Sequence, residues 1–225
     1  MSGNAPSKTT NTVSPEEKEA VALVVSLTIT RLEDTYADFI SQKGFDQIPS
    51  FFREHLYSPP NKEARDQALD SLYAKLKSVT GPEMTENIHK LILVNRLTDE
   101  LDLETARVLL KGPLKNGNKD LTLAQLNQAV GEAGRHEDRV RQVDMIADSL
   151  TFFFSLSKLP LIKLVMAPIK VAASLVGAME LTQTMEAGYN LSRNIKDMKP
   201  FVEAFMERER KLQMDIHKNK IYSYS

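Results

Sequence analysis

The chain contains no cysteine. Disulfides, thiolate zinc sites, iron–sulfur clusters and cysteine nucleophiles are therefore excluded. The composition fits a reducing compartment. An excess of charge of either sign is also lacking: 29 Lys and Arg stand against 30 Asp and Glu, for a net −1. No global basic field draws nucleic acid. Arg135, Arg139 and Arg141 sit among Glu137 and Asp138, so nucleic acid is not an expected partner. The first residues, "MSGNAPSKTTNTV", hold no apolar stretch of signal-peptide length. They read as a disordered arm over 1–13, and the expected location is cytoplasmic. No glycine loop for phosphate, nucleophile elbow or metalloprotease motif is present. Gly112-x4-Gly117-Asn118-Lys119 has the outline of a P-loop, but the Lys-Ser/Thr pair and the preceding strand are missing.

What is there is helical pattern. Hydrophobic residues make up 42% and charged residues 26% of 225, values of an ordinary globular chain long enough to bury a core without staples. Ser14-Pro15-Glu16-Glu17 marks a helix start, with a serine cap, proline at the first position and acids facing the dipole. The apolar stripe Val21, Val24, Val25, Leu32, Tyr36 and Phe39 carries that helix to about Ser41. Gly44 ends it. A short helix opens at Pro49 and closes at Pro59-Pro60, and Gly81-Pro82 separates a third helix from a fourth. "DLETARVLLK" reads as a kinked continuation of the fourth or a separate short helix, and Lys111 to Asp120 is the clearest loop. The expectation is an all-α globular bundle of about seven to nine helices in one domain over 14–220. An N-terminal half (14–110) and a C-terminal half (121–220) would be joined by the 111–120 loop.

With the helices placed, "FFREHLYSP" (Phe51 to Pro59) resembles the signature of the bacterial FFLEELY-motif proteins. "RLEDTYADFI" before it, "RDQALDSLYAKL" and "LTDELDLETA" after it, and "FVEAFMERERKL" near the end extend the similarity over roughly Arg31 to Leu212. Two motif positions depart from the family pattern: Arg53 where an apolar residue is usual and His55 where an acid is usual. The resemblance implies an all-α fold and a bacterial origin, and carries no mechanism with it. On physical grounds, three aromatics between prolines make a compact wedge with large burial per residue. The alternative is that Phe51, Phe52 and Tyr57 line a ligand cavity.

Four histidines, His55, His89, His136 and His217, bound the metal chemistry. Glu86-x-x-His89 is half of a di-iron motif, in which i, i+3 spacing points both groups into a bundle. The second pair is missing, because Asp215-x-His217 has the wrong spacing. His89 therefore reads first as a half-buried core histidine. His89, Glu86 and His55 stay as weak metal candidates, a lone histidine also serving as an axial haem ligand. No cofactor is predicted, and haem or iron stays open. Carboxylates cluster at Asp99, Glu100, Asp102 and Glu104, and at Glu132, Glu137 and Asp138, where solvated faces and caps account for them.

The most unusual stretch is Ser149 to Met179, which holds no acid and three lysines, Lys158, Lys163 and Lys170. Pro160 and Pro168 interrupt it, and each lysine would cost about 2.5–3.5 kcal/mol at a bilayer centre, so it does not read as a membrane span. It reads first as central helices buried on most sides, with lysines snorkelling outward. Alternatively Phe152, Phe153 and Phe154 and the basic apolar helix contact lipid at a membrane surface. Pro168 is expected to kink its helix, and Gly177 to permit close helix approach. The leading expectation for function is a non-enzymatic binding protein. It would contact an apolar ligand or a protein partner through Phe152, Phe153, Phe154, Lys163 and Lys170, with Phe51, Phe52 and Tyr57 opposite. A haem or metal enzyme using His89 or His55, and an adaptor peripheral to the inner membrane, are the alternatives.

Overall fold

A computed structural model describes residues 13–56, 71, 73–75, 81–159 and 162–218. The arm over 1–12 and Tyr57 lie outside the described residues. Every long element described is a helix, and no strand occurs among the described residues. Helix α1 spans Pro15–Thr35, α2 Ala37–Ile40 and α3 Ile48–Phe51, which runs on into a wider π turn over Phe52–Leu56. Then come α4 (Pro82–Lys111), α5 (Leu123–Ala133), α6 (His136–Lys158), α7 (Ile162–Val176), α8 (Met179–Arg193) and α9 (Lys199–His217). The all-α expectation holds.

The start signals work as their chemistry requires. Ser14 Oγ accepts from the Glu17 N–H at 3.1 Å, and Glu17 Oε2 accepts from the Ser14 N–H at 2.8 Å, a reciprocal capping box. Thr122 and Gln125 repeat the arrangement at α5. Three expectations are corrected. The first helix stops at Thr35 instead of about Ser41, because Tyr36 leaves helical geometry (φ −112°, ψ 20°) as its ring enters the core. "DLETARVLLK" is neither kinked nor separate: α4 runs unbroken for 30 residues. Gly177 does not mediate close helix packing. It sits at φ +74° with open space where a Cβ would go, and it ends α7 through an Ala178 N–H to Ala173 carbonyl bond of 2.8 Å.

The close approach belongs to Gly188 of α8, where an added Cβ would lie 2.8 Å from the Phe153 ring. At the centre, α6 packs against α4, α8 and α9. The larger core cluster includes Phe51, Ile88, Leu91, Ile92, Phe153, Ile169, Met185 and Phe201. A second cluster joins Ala20 and Val24 of α1 to Ala106 and Leu109 of α4 and Leu126 of α5. Both clusters take residues from both sides of the 111–120 loop, and α4 threads through each of them. Among the described residues no helix is long and apolar enough to cross a membrane.

Candidate functional site

The aromatic candidates fall into the packing of the core. Phe51, Phe52 and Phe153 are buried. Phe51 meets Phe52 and Phe153 edge-on, with ring centroids 6.2 and 5.8 Å apart. The junction of α3 with the π turn carries consecutive phenylalanines that both face inward, which a regular helix face would not place together. Phe152 and Phe154 are half-buried and pack against the same cluster. An apolar cavity beside them, lined by Leu32, Tyr36, Phe52, Phe201 and Phe205, holds only about 20 Å³. Sites for drug-sized ligands run to about 300–1,000 Å³. Phe52 lines this small cavity, and the Phe51 and Phe52 rings pack against one another, as the wedge reading expects.

The metal candidates are not brought together. His89 is half-buried and stacks on the Tyr73 ring at 4.3 Å, while Glu86 is exposed. His55 lies 5.8 Å from the Phe51 ring, and its carbonyl accepts from Thr184 Oγ1 at 3.4 Å. Among the described residues, no group of three or more His, Asp or Glu side chains is placed to hold a metal ion. His136 and His217 stack on each other at 4.2 Å. Burial, and then the neighbouring His217, hold the His136 imidazole below the usual histidine range.

What the fold leaves open is one face of α7. Met166, Ile169, Ala172 and Ala173 face the core, while Ala167, Lys170, Val171, Ser174 and Leu175 are exposed. The helix was expected to be buried on most sides. It is apolar on both faces, and only one is covered. Leu175 is 70% exposed and Val171 62%, and Leu159 and Met179 stand nearby in the chain. Of the five large hydrophobics exposed among the described residues, four lie between 159 and 179; the fifth is Met214. Of the basic candidates, Lys170 stands on this face. Lys170 forms an ion pair with Glu186 of α8. Lys158 holds its ammonium 4.4 Å from the Phe154 ring centre and donates to the Ile195 carbonyl at 3.3 Å. Lys163 lies on α7, and its side chain is outside the described residues.

Sequence reasoning missed a buried charge network between α1 and α9. Arg31 of α1 and Glu209 of α9 form a two-bond pair at 2.7 and 2.8 Å, and Tyr36 Oη donates to Glu209 Oε1 at 3.0 Å. Burial, and then the Glu209 carboxylate, push the Tyr36 phenol well above its usual range. The signal was present: Glu209 occupies the same stripe as Phe201, Phe205, Leu212 and Ile216, where a charge needs a buried partner.

A family model described as a domain of unknown function, DUF8198, matches residues 8–222. The chain belongs to the DUF8198 family. No match is found among curated proteins or among solved structures. The DUF8198 match covers every helix described above, so the open α7 face and the buried network both lie within the family domain.

Proposed function

We propose that this all-α chain is a non-enzymatic binding protein that engages a protein partner through the open face of α7 and the first turn of α8. The observation that carries the reading is the segregation of exposed large hydrophobics to Leu159, Val171, Leu175 and Met179. Scattered exposed apolar residues need no explanation, but large exposed hydrophobics gathered in one stretch of the chain point to a surface that is covered in use. The i, i+4 spacing of Val171 and Leu175 suits an apolar ridge that meets the groove of another helix. A protein is favoured over an apolar ligand held at the Phe51–Phe52 block because the cavity beside that block is about 20 Å³. It is favoured over an anionic membrane because Lys170 is already paired with Glu186. In this reading the Phe51–Phe52 block, which resembles the FFLEELY signature, is a wedge that braces α6 and α8 beneath the docking helix. A bacterial origin and a cytoplasmic setting belong to the same proposal.

The test is site-specific photocrosslinking in cells expressing the full chain, with the crosslinker at Leu175 or, as control, at exposed Gln128 of α5. A discrete protein adduct from Leu175 alone is expected. No adduct, or the same adducts from both positions, would overturn the reading. Cosedimentation of the purified chain with anionic vesicles, lost in Leu175→Glu, would move the assignment to a membrane surface.

A further inference from the structure

Where α6 meets the end of α9, two histidine rings lie face to face. His136 is the first residue of α6 and His217 the last of α9. Their ring centroids are 4.2 Å apart and their planes are 16° from parallel. Neutral imidazoles stack at that distance, but two imidazolium ions there would repel each other directly. The helix dipole adds to the resistance, because a cation is disfavoured at a helix N-terminus, where His136 stands.

The charges around the pair do little to relieve it. Glu137, next to His136 on α6, favours the His136 proton, while burial and His217 oppose it. Asp138 is engaged by Arg135, which also binds Glu100 and Glu104 of α4. On α5, Glu132 accepts from Gln128 at 2.8 Å. On α9, Asp215 is paired with Lys211, and Lys218 follows His217 with a further positive charge.

The same end of α9 walls a polar cavity. Gln213 and Ile216, the latter adjacent to His217 in the chain, line a space of about 80 Å³ together with Asn127 of α5 and Arg139 of α6. Asn127 is 3% exposed, and its Nδ2 has no hydrogen-bond partner among the described residues. Burial holds the Arg139 guanidinium below its ordinary range, against the opposing charges of Asp102 and Glu104. Water admitted to the cavity would give Asn127 an acceptor and rehydrate the Arg139 cation. The closed seam is therefore held against two costs, and segments of low local stability open first.

We propose that the His136–His217 stack is an acid-sensitive latch: charging both rings separates them, releases the last turn of α9 from α6 and admits water to the cavity at Asn127. Protonation of paired histidines is a known means of flipping an interface. The opened form takes the second proton more readily than the closed one. The latch is thus shut above the ordinary histidine range and opens as pH falls through and below it. The rest of α9 stays anchored by Phe201, Phe205 and Glu209, all buried, so the change is local. The device is separate from the α7 face and does not depend on the docking proposal.

The test is amide hydrogen exchange of the purified full chain at pH 7.5 and pH 5, expressed as protection factors so that the chemical rate divides out. The amides of Gln213 to His217 are expected to lose protection by about tenfold or more at pH 5, the factor that one pK unit of differential interaction supplies. Those of Phe205 to Glu209 should hold. His136→Gln and His217→Gln each remove one of the two cations, and either should abolish the loss. Unchanged protection at the end of α9 would overturn the proposal. A loss spread evenly along α9 would report unfolding of the whole chain and overturn it as well. So would a loss that persists in both variants, since other groups would then drive it.

Discussion

Glu209 is the residue on which the charge network turns. It accepts from Arg31 twice and from Tyr36 once, and all three side chains are buried. Removing one member of a buried pair leaves the other uncompensated, at a cost of about 3–5 kcal/mol. Glu209→Ala should lower the urea-unfolding free energy by that order. Tyr36→Phe loses only a hydrogen bond to a charge and should cost about 1.5–3 kcal/mol. Equal effects of the two substitutions would show that the pair contributes nothing beyond packing. Gly188 makes a different demand, since any side chain there meets the Phe153 ring. Gly188→Ala should destabilise by about 1–3 kcal/mol through overpacking. Adding Phe153→Leu should recover part of that loss, which a double-mutant cycle reads directly.

Elements meet at the His136–His217 stack, where the start of α6 touches the end of α9. The His136 pKa is lowered in the folded chain, first by burial and then by His217, with Glu137 opposing. The unfolded chain therefore binds the proton more readily. Stability is full above the ordinary histidine range and declines as pH falls through it toward the lowered folded value. His217→Gln removes the like charge and should flatten that decline, measured as melting temperature between about pH 7.5 and 5. α7 gives the contrasting case. Leu175 is exposed and touches little of the core, so Leu175→Glu should change stability by no more than about 0.5 kcal/mol. Calorimetry of the purified chain checks this, and a larger loss would mean that the face is covered within the chain itself.

At the scale of the whole molecule, α4 ties the parts together. Its first half enters the larger core through Ile88 and Leu91, and its second half enters the smaller one through Ala106 and Leu109. A helix shared by both cores couples their unfolding. Ile88→Ala and Leu109→Ala should each cost about 2–5 kcal/mol. Both should shift one common transition, with far-UV circular dichroism and tyrosine fluorescence coincident. Separate transitions would divide the chain at the 111–120 loop instead.

The all-α class, the Ser14 cap, the helix start at Pro82, the helix end at Lys111, and the start near Pro200 were legible in the chain, because caps, prolines and apolar spacing act over one or two turns. The apolar, acid-free character of 149–179 was legible too, but not which of its faces would be covered. Periodicity reports that a stripe is apolar and says nothing about which neighbour arrives to meet it. Arg31 and Glu209 are 178 positions apart, and Asn127 and Arg139 lie on helices that share a cavity with α1 and α9. Those juxtapositions were decided by how α1, α4, α6 and α9 pack, since a buried charge finds its partner only when long-range contacts form. Local chemistry in the chain determined which segments became helices. The tertiary structure alone decided which polar groups were paired, which donors were left over, and that one apolar face stayed uncovered.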